Sequence, residues 1–190
     1  RQPLGSLHQR RKMKRLWITL FLFGTVWGQD KIKVSGFFDE VIDNNVLTLQ
    51  IKSENTQIIE NEDKHAILII NSDGGELSLK VFWGNIYLGL GARSVTYRIG
   101  TNDSITELWE SSNDYTVTIS KNPVDIIKEM AENTKILFRI TPYQKNAITF
   151  EFDVSELKSV VEEFPNHFAI IRPPSITERI GEISTIILIG

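Results

Sequence analysis

The chain contains no cysteine. Disulfides, thiol nucleophiles and cysteine-ligated metals are thereby excluded. Its three histidines are His8, His65 and His167. None has a second ligand at metal spacing, so imidazole-based metal binding lacks a framework. Gly84, Gly89 and Gly91 do not follow the dinucleotide G-x-G-x-x-G order, and no helix pattern follows them. They read as bends in a strand pair. No serine sits between glycines in a nucleophile elbow. Carboxylates are plentiful but scattered in turns, and Glu151 with Asp153 reads as solvation of one strand face. Asp39-Glu40 and Asp43-Asn44-Asn45 lack the alternating ligands and late glutamate of a calcium loop. We assign no metal, no cofactor and no catalytic residue; a hydrolase would need a site without a recognisable motif.

A membrane-spanning run is missing as well. Leu16–Val26 is uncharged but falls short of the roughly 20 residues that cross a bilayer. Met13-Lys14-Arg15 precedes it, and Val26-Trp27-Gly28 follows it. A basic stretch, an apolar stretch and compact residues before a cut after Gly28 form the layout of a secretory signal peptide. Residues 1–12 then precede the natural start, residues 13–28 are the leader, and residues 29–165 form the exported domain. Residues 166–190 are a C-terminal extension, either an added strand at Ile183–Ile189 or translation past a natural end. The expected location is the periplasm or the exterior, with no transmembrane span once the leader is removed.

Basic charge is scarce in that domain. Residues 29–164 carry 13 Lys/Arg against 22 Asp/Glu, a net of −9. Such a surface repels phosphates, and no basic stripe with interleaved aromatics offsets it, so nucleic acid is excluded as a partner.

What is present is β patterning. Ile32–Phe38 and Val46–Ile51 are strand candidates, with Leu47, Leu49 and Ile51 on the core face. Asp43-Asn44-Asn45 reads as the turn between them. Ala66–Ile70 and Glu76–Trp83 form a hairpin around Asn71-Ser72-Asp73-Gly74-Gly75, where Asp-Gly supplies positive φ. Leu77, Leu79, Val81 and Trp83 share a face of the returning strand. Ser94–Ile99, Ile105–Trp109 and Tyr115–Ile119 continue the series. Asn122-Pro123 opens a short helix over Val124–Ala131. Lys135–Thr141 and Ala147–Asp153 form another strand pair. Ser155 is expected to cap a last helix, where Leu157, Val160, Val161 and Phe164 repeat at helical spacing until Pro165. The expected class is mainly β: an antiparallel β-sandwich with two short α-helices.

The order of motifs is also informative. Ile67-Leu68-Ile69-Ile70, Val81-Phe82-Trp83-Gly84 and Val95-Thr96-Tyr97-Arg98-Ile99 are followed by Trp109-Glu110-Ser111-Ser112-Asn113-Asp114. Phe138-Arg139-Ile140-Thr141-Pro142-Tyr143 and Ile148-Thr149-Phe150-Glu151-Phe152-Asp153-Val154-Ser155-Glu156-Leu157 complete the set. Over residues 66–164 this resembles the VasI-like exported proteins associated with type VI secretion. The resemblance implies a periplasmic, non-enzymatic accessory role. Where such relatives carry cysteines, this chain has Ile70-Asn71 and Glu163-Phe164, so no disulfide is implied here.

The function expected is an exported, non-catalytic interaction module that binds a protein of the cell envelope. Candidate contact residues are Arg98, Trp109, Arg139 and Tyr143. Arg98 and Arg139 are cations inside β-like segments, a position equally open to structural ion pairs. The alternative is a carbohydrate- or peptidoglycan-binding sandwich with Trp83, Trp109 and Tyr97 on one sheet face. Nothing in the sequence sets an oligomeric state.

Overall fold

A computed structural model describes residues 31–39 and 44–171. The expected leader over residues 13–28, the segments 1–12 and 172–190 with the expected strand Ile183–Ile189, and residues 40–43 of the acidic stretch lie outside the described residues. Among the described residues there are eleven strands, most of them built from alternating apolar residues. They are β1 (Ile32–Asp39), β2 (Asn44–Lys52), β3 (Gln57–Ile59), β4 (Glu62–Lys64), β5 (Ile67–Asp73), β6 (Glu76–Phe82), β7 (Arg93–Ile99), β8 (Ile105–Ser111), β9 (Val117–Ile119), β10 (Lys135–Ile140) and β11 (Ile148–Asp153). Two helices, α1 (Pro123–Ala131) and α2 (Leu157–Glu163), flank the last strand pair. Among the described residues no helix is long and apolar enough to cross a membrane.

Nine strands run antiparallel in the order β1-β2-β5-β6-β9-β8-β7-β10-β11. The sheet turns over at β8, which changes partner along its length. Ile105–Trp109 pair with β7, whereas Glu110 and Ser111 pair with β9. A strand that switches partners makes the corner of a sandwich. The far edge is then covered. The Glu54 amide donates to the Glu151 carbonyl at 2.8 Å. The Asn55 side chain donates to the Thr149 carbonyl at 2.9 Å and accepts from the Glu151 amide at 2.8 Å. Asn55 thus stands in for a strand residue on the outer edge of β11, satisfying groups that an open edge would leave unpaired. Lys31, paired with Asp153, fastens the start of β1 to the end of β11.

Between the two halves lies an aromatic core. Trp83 packs on Phe150 at 6.1 Å, and Phe138 lies 5.6 Å from Trp109 and 6.0 Å from Phe152. Leu47, Leu49 and Ile51 are buried as their alternation requires, with Leu79 and Val81 of β6. Helix α1 buries Ile126, Ile127 and Met130, and packs against β6 and α2.

The differences from the pattern are local. Asn71, Ser72 and Asp73 belong to β5, and the β5–β6 reversal is the two-residue turn Gly74-Gly75, at φ +57° and +89°. Asn44 and Asn45 likewise belong to β2. Ser72 is buried because its hydroxyl donates to the His167 carbonyl at 3.1 Å. That bond belongs to a segment in which Phe168 is fully buried and Ile171 nearly so. The packed domain therefore runs past Pro165 to at least Ile171. Ser155 does not cap α2. Its hydroxyl bonds Asp153 at 2.6 Å, and Glu156 takes the cap position without a side-chain bond. Asn122 precedes Pro123 as expected, but its amide donates to Glu107 at 3.2 Å rather than capping α1. The small β3–β4 hairpin has no apolar alternation and was not expected. It is made by Glu60 and Asn61, both at positive φ.

Candidate functional site

Three connections converge at one end of the sandwich: the β3–β4 turn, the glycine-rich segment 84–92, and the loop 141–147. They enclose a cleft of about 390 Å³ lined by Glu60, Lys64, Asn85, Tyr87, Tyr143 and Gln144, among others. Loops held by a rigid scaffold are where binding residues concentrate.

The backbone there is strained. Among the described residues, the non-glycine residues at positive φ are Glu60, Asn61, Asn85, Tyr115 and Gln144. Three line the cleft, Asn61 adjoins Glu60, and Tyr115 touches Tyr87. Left-handed backbone at a bulky residue such as Tyr115 costs of order 1–3 kcal/mol and clusters at functional sites. Local bonds hold it. The Tyr115 amide donates to the Ser112 carbonyl at 3.0 Å, and its carbonyl accepts from the Leu88 amide at 2.9 Å. Asp114 accepts from the Ser112 hydroxyl and, at 3.0 Å, from the Thr116 hydroxyl. These bonds, that of Ser112 foremost, hold its carboxyl below the usual carboxylate range.

Glycine is required at two points of the segment. A Cβ on Gly84 (φ +73°) would lie 2.6 Å from the His65 carbonyl oxygen. One on Gly89 (φ +91°) would lie 2.3 Å from the Arg93 guanidinium, which donates to the Leu90 carbonyl at 2.7 Å. Between these two glycines Tyr87 lines the cleft. Its ring meets Tyr115 edge-on at 6.0 Å and Tyr143 at 5.9 Å. Tyr87 is 47% exposed, Tyr143 53% and Leu90 71%. Across the cleft Lys145 donates to Glu60 at 2.9 Å, and that bond lowers the Glu60 pKa. Lys64 pairs with Glu62. The surface therefore offers aromatic edges, the amides of Asn85 and Gln144, and cations already partnered by carboxylates.

The four residues expected at a contact surface divide three ways. Tyr143 lies in the cleft. Arg98 and Arg139 stand exposed on the outer face of β7 and β10, away from the core. Trp109 has no exposed surface: it packs on Phe138, and its Nε1 donates to Glu107 at 3.0 Å. A contact role for Trp109 is corrected to a core role. The same holds for the stacking platform of Trp83, Trp109 and Tyr97. Trp83 is fully buried with its Nε1 donating to Thr118 at 3.0 Å, and Tyr97 is 5% exposed. Residues facing inward at a sandwich core have no face to offer a sugar. The ion-pair reading of the arginines also fails. Among the described residues neither has a carboxylate within salt-bridge distance, and Arg139 donates instead to the Thr149 hydroxyl at 3.0 Å. Tyr87, Tyr115 and Leu90 were missed. The available signal was an apolar stretch, Ile86-Tyr87-Leu88, between glycines too closely spaced for a strand. Among the described residues no three His, Asp or Glu side chains cluster as metal ligands.

No protein-family model matches the chain, and no curated protein sequence matches it. Among solved structures, invasion associated protein B from Bartonella henselae is similar over 71% of this chain and 92% of its own, with a TM-score of 0.46 and 7% identity. Nothing about this chain's chemistry follows from a likeness of that order.

Proposed function

We propose that the chain is an exported, non-catalytic binding module whose contact surface is the tyrosine cleft. The observation that carries this reading is Tyr87 and Tyr143, about half exposed in the cleft and meeting edge-on, with Tyr87 backed by the partly buried Tyr115 on strained backbone. Tyrosine combines large apolar area with a polar tip and little side-chain entropy, so it concentrates binding energy at protein surfaces. The leader-like segment Met13–Gly28 supports export, and a periplasmic or secreted location follows from it. The motif order shared with VasI-like proteins supports an accessory role beside a type VI secretion assembly, with an envelope protein as partner. A glycan reading now rests on Tyr87 and Tyr143, which are exposed where the tryptophans are not.

The test compares wild type with Tyr87→Ala/Tyr143→Ala. Each is immobilised and exposed to envelope extract and to a glycan array. A discrete protein retained by wild type and lost in the variant is expected. Saturable glycan binding lost in the variant moves the site to the carbohydrate reading. Equal retention by both chains refutes the cleft.

A further inference from the structure

We infer that the outer face of the β8-β7-β10-β11 sheet is a second contact surface, which takes an acidic, extended segment of a protein partner through Arg98 and Arg139. It is independent of the tyrosine cleft.

The register places the two arginines together. Arg98 is opposite Leu137, and Arg139 is opposite Thr96, so they are diagonal neighbours on one sheet face. Diagonal neighbours lie within reach of a single bound strand. Around them Thr96 and Thr106 join hydroxyls at 2.8 Å, Thr149 accepts from Arg139, and Leu137 lies between Arg98 and Glu151, whose carboxylate is taken by Lys135 at 3.5 Å. Leu108, 56% exposed, supplies an apolar rim. Among the described residues the main packing of the helices lies elsewhere, α1 against β6 and α2. Both arginines are exposed on this face.

Charge identifies the partner. Acids outnumber bases by 22 to 13 over residues 29–164. Even so, every ion pair among the described residues uses a lysine. Arginine is the cation whose fork matches a carboxylate bidentately and which recurs at binding hot spots. Here both are withheld from the carboxylates of their own domain. Glu151 and Asp153 share this face but are taken by Lys135 and Lys31; an anionic bilayer would be repelled over its whole area by a domain of −9, whereas a single acidic strand meets the two arginines that no carboxylate among the described residues pairs. A peptide segment is therefore favoured over a membrane.

The experiment titrates a labelled peptide of alternating Glu and Val onto the full chain, by fluorescence anisotropy across a salt series. Binding that weakens with salt is expected, since a net-acidic protein repels this probe except at a dedicated site. Arg98→Glu/Arg139→Glu should lower affinity by at least about tenfold. Arg98→Lys/Arg139→Lys, which keeps the charge and loses the fork, should lower it by less. Tyr87→Ala/Tyr143→Ala should leave it unchanged, which separates this surface from the cleft. Circular dichroism of each variant checks the fold. No binding at low salt, or equal binding by the charge-reversed chain, overturns the inference. So does capture of phosphatidylglycerol vesicles, or self-association, that depends on both arginines while the peptide fails to bind.

Discussion

Gly84 and Gly75 share a backbone conformation and differ in what surrounds them. Gly84 sits at φ +73° and Gly75 at φ +89°. A Cβ on Gly75 meets nothing within 4 Å, whereas one on Gly84 falls 2.6 Å from a backbone oxygen, that of His65. Replacing either by alanine forces an L-residue into left-handed backbone, at about 1 kcal/mol. At Gly75 that is the whole effect. At Gly84 the loop must also move off β4, and forced displacement of packed groups adds about 2 kcal/mol. Gly75→Ala should therefore cost about 1 kcal/mol and Gly84→Ala about 3 kcal/mol. In thermal melts this is roughly 3 °C against roughly 9 °C for a domain of this size. Gly84→Ala should also displace Asn85 and Tyr87, so it should weaken partner binding where Gly75→Ala does not. Equal melting shifts for the two variants would refute the close approach that positions the cleft.

Trp83→Phe leaves the buried Thr118 hydroxyl without its donor, and Thr118→Val leaves the indole N–H without its acceptor. Each should cost about 2 kcal/mol in urea titrations, with a coupling near 1 kcal/mol in the double-mutant cycle; zero coupling would show that the bond is not made. Burial, aided by Glu107, raises the Tyr97 pKa from 10.0 to about 12. The unfolded chain therefore loses this proton first, so the associated stability is intact below pH 10 and lost as pH rises to about 12. Urea titrations across that window should show the decline, and Tyr97→Phe should remove this component. Phe168→Ala should cost about 3 kcal/mol, because a fully buried ring leaves a cavity; an unchanged melt would place the domain's end at Pro165.

The strands with clean alternation were legible in the sequence. Leu47, Leu49 and Ile51, or Leu79 and Val81, state their inward face by period alone. The hairpin at Gly74-Gly75 was legible from turn chemistry, though not its length, because Asn71-Ser72-Asp73 looks like a loop. Ser72 pairs with Leu47 and Leu77 on either side, and its buried hydroxyl is satisfied by the His167 carbonyl, 95 residues away. Such a partner leaves no local mark. Trp109 and Tyr143 show the same limit for the site. Both are aromatic residues in an acidic domain, and only tertiary packing puts one against Phe138 and the other at the cleft. The cleft itself is an encounter of three loops separated by tens of residues. Its one local sign was the density of glycine around Tyr87.

The contact surface is tested most directly by site-specific photocrosslinking in envelope extract. A photoreactive residue is placed at Asn85, in the cleft, or at Lys128, exposed on α1. A single discrete protein adduct from position 85, absent from position 128 and abolished by Tyr87→Ala/Tyr143→Ala, is the predicted result. Adducts of equal yield at both positions, or an adduct from 85 that survives loss of both tyrosines, would contradict it.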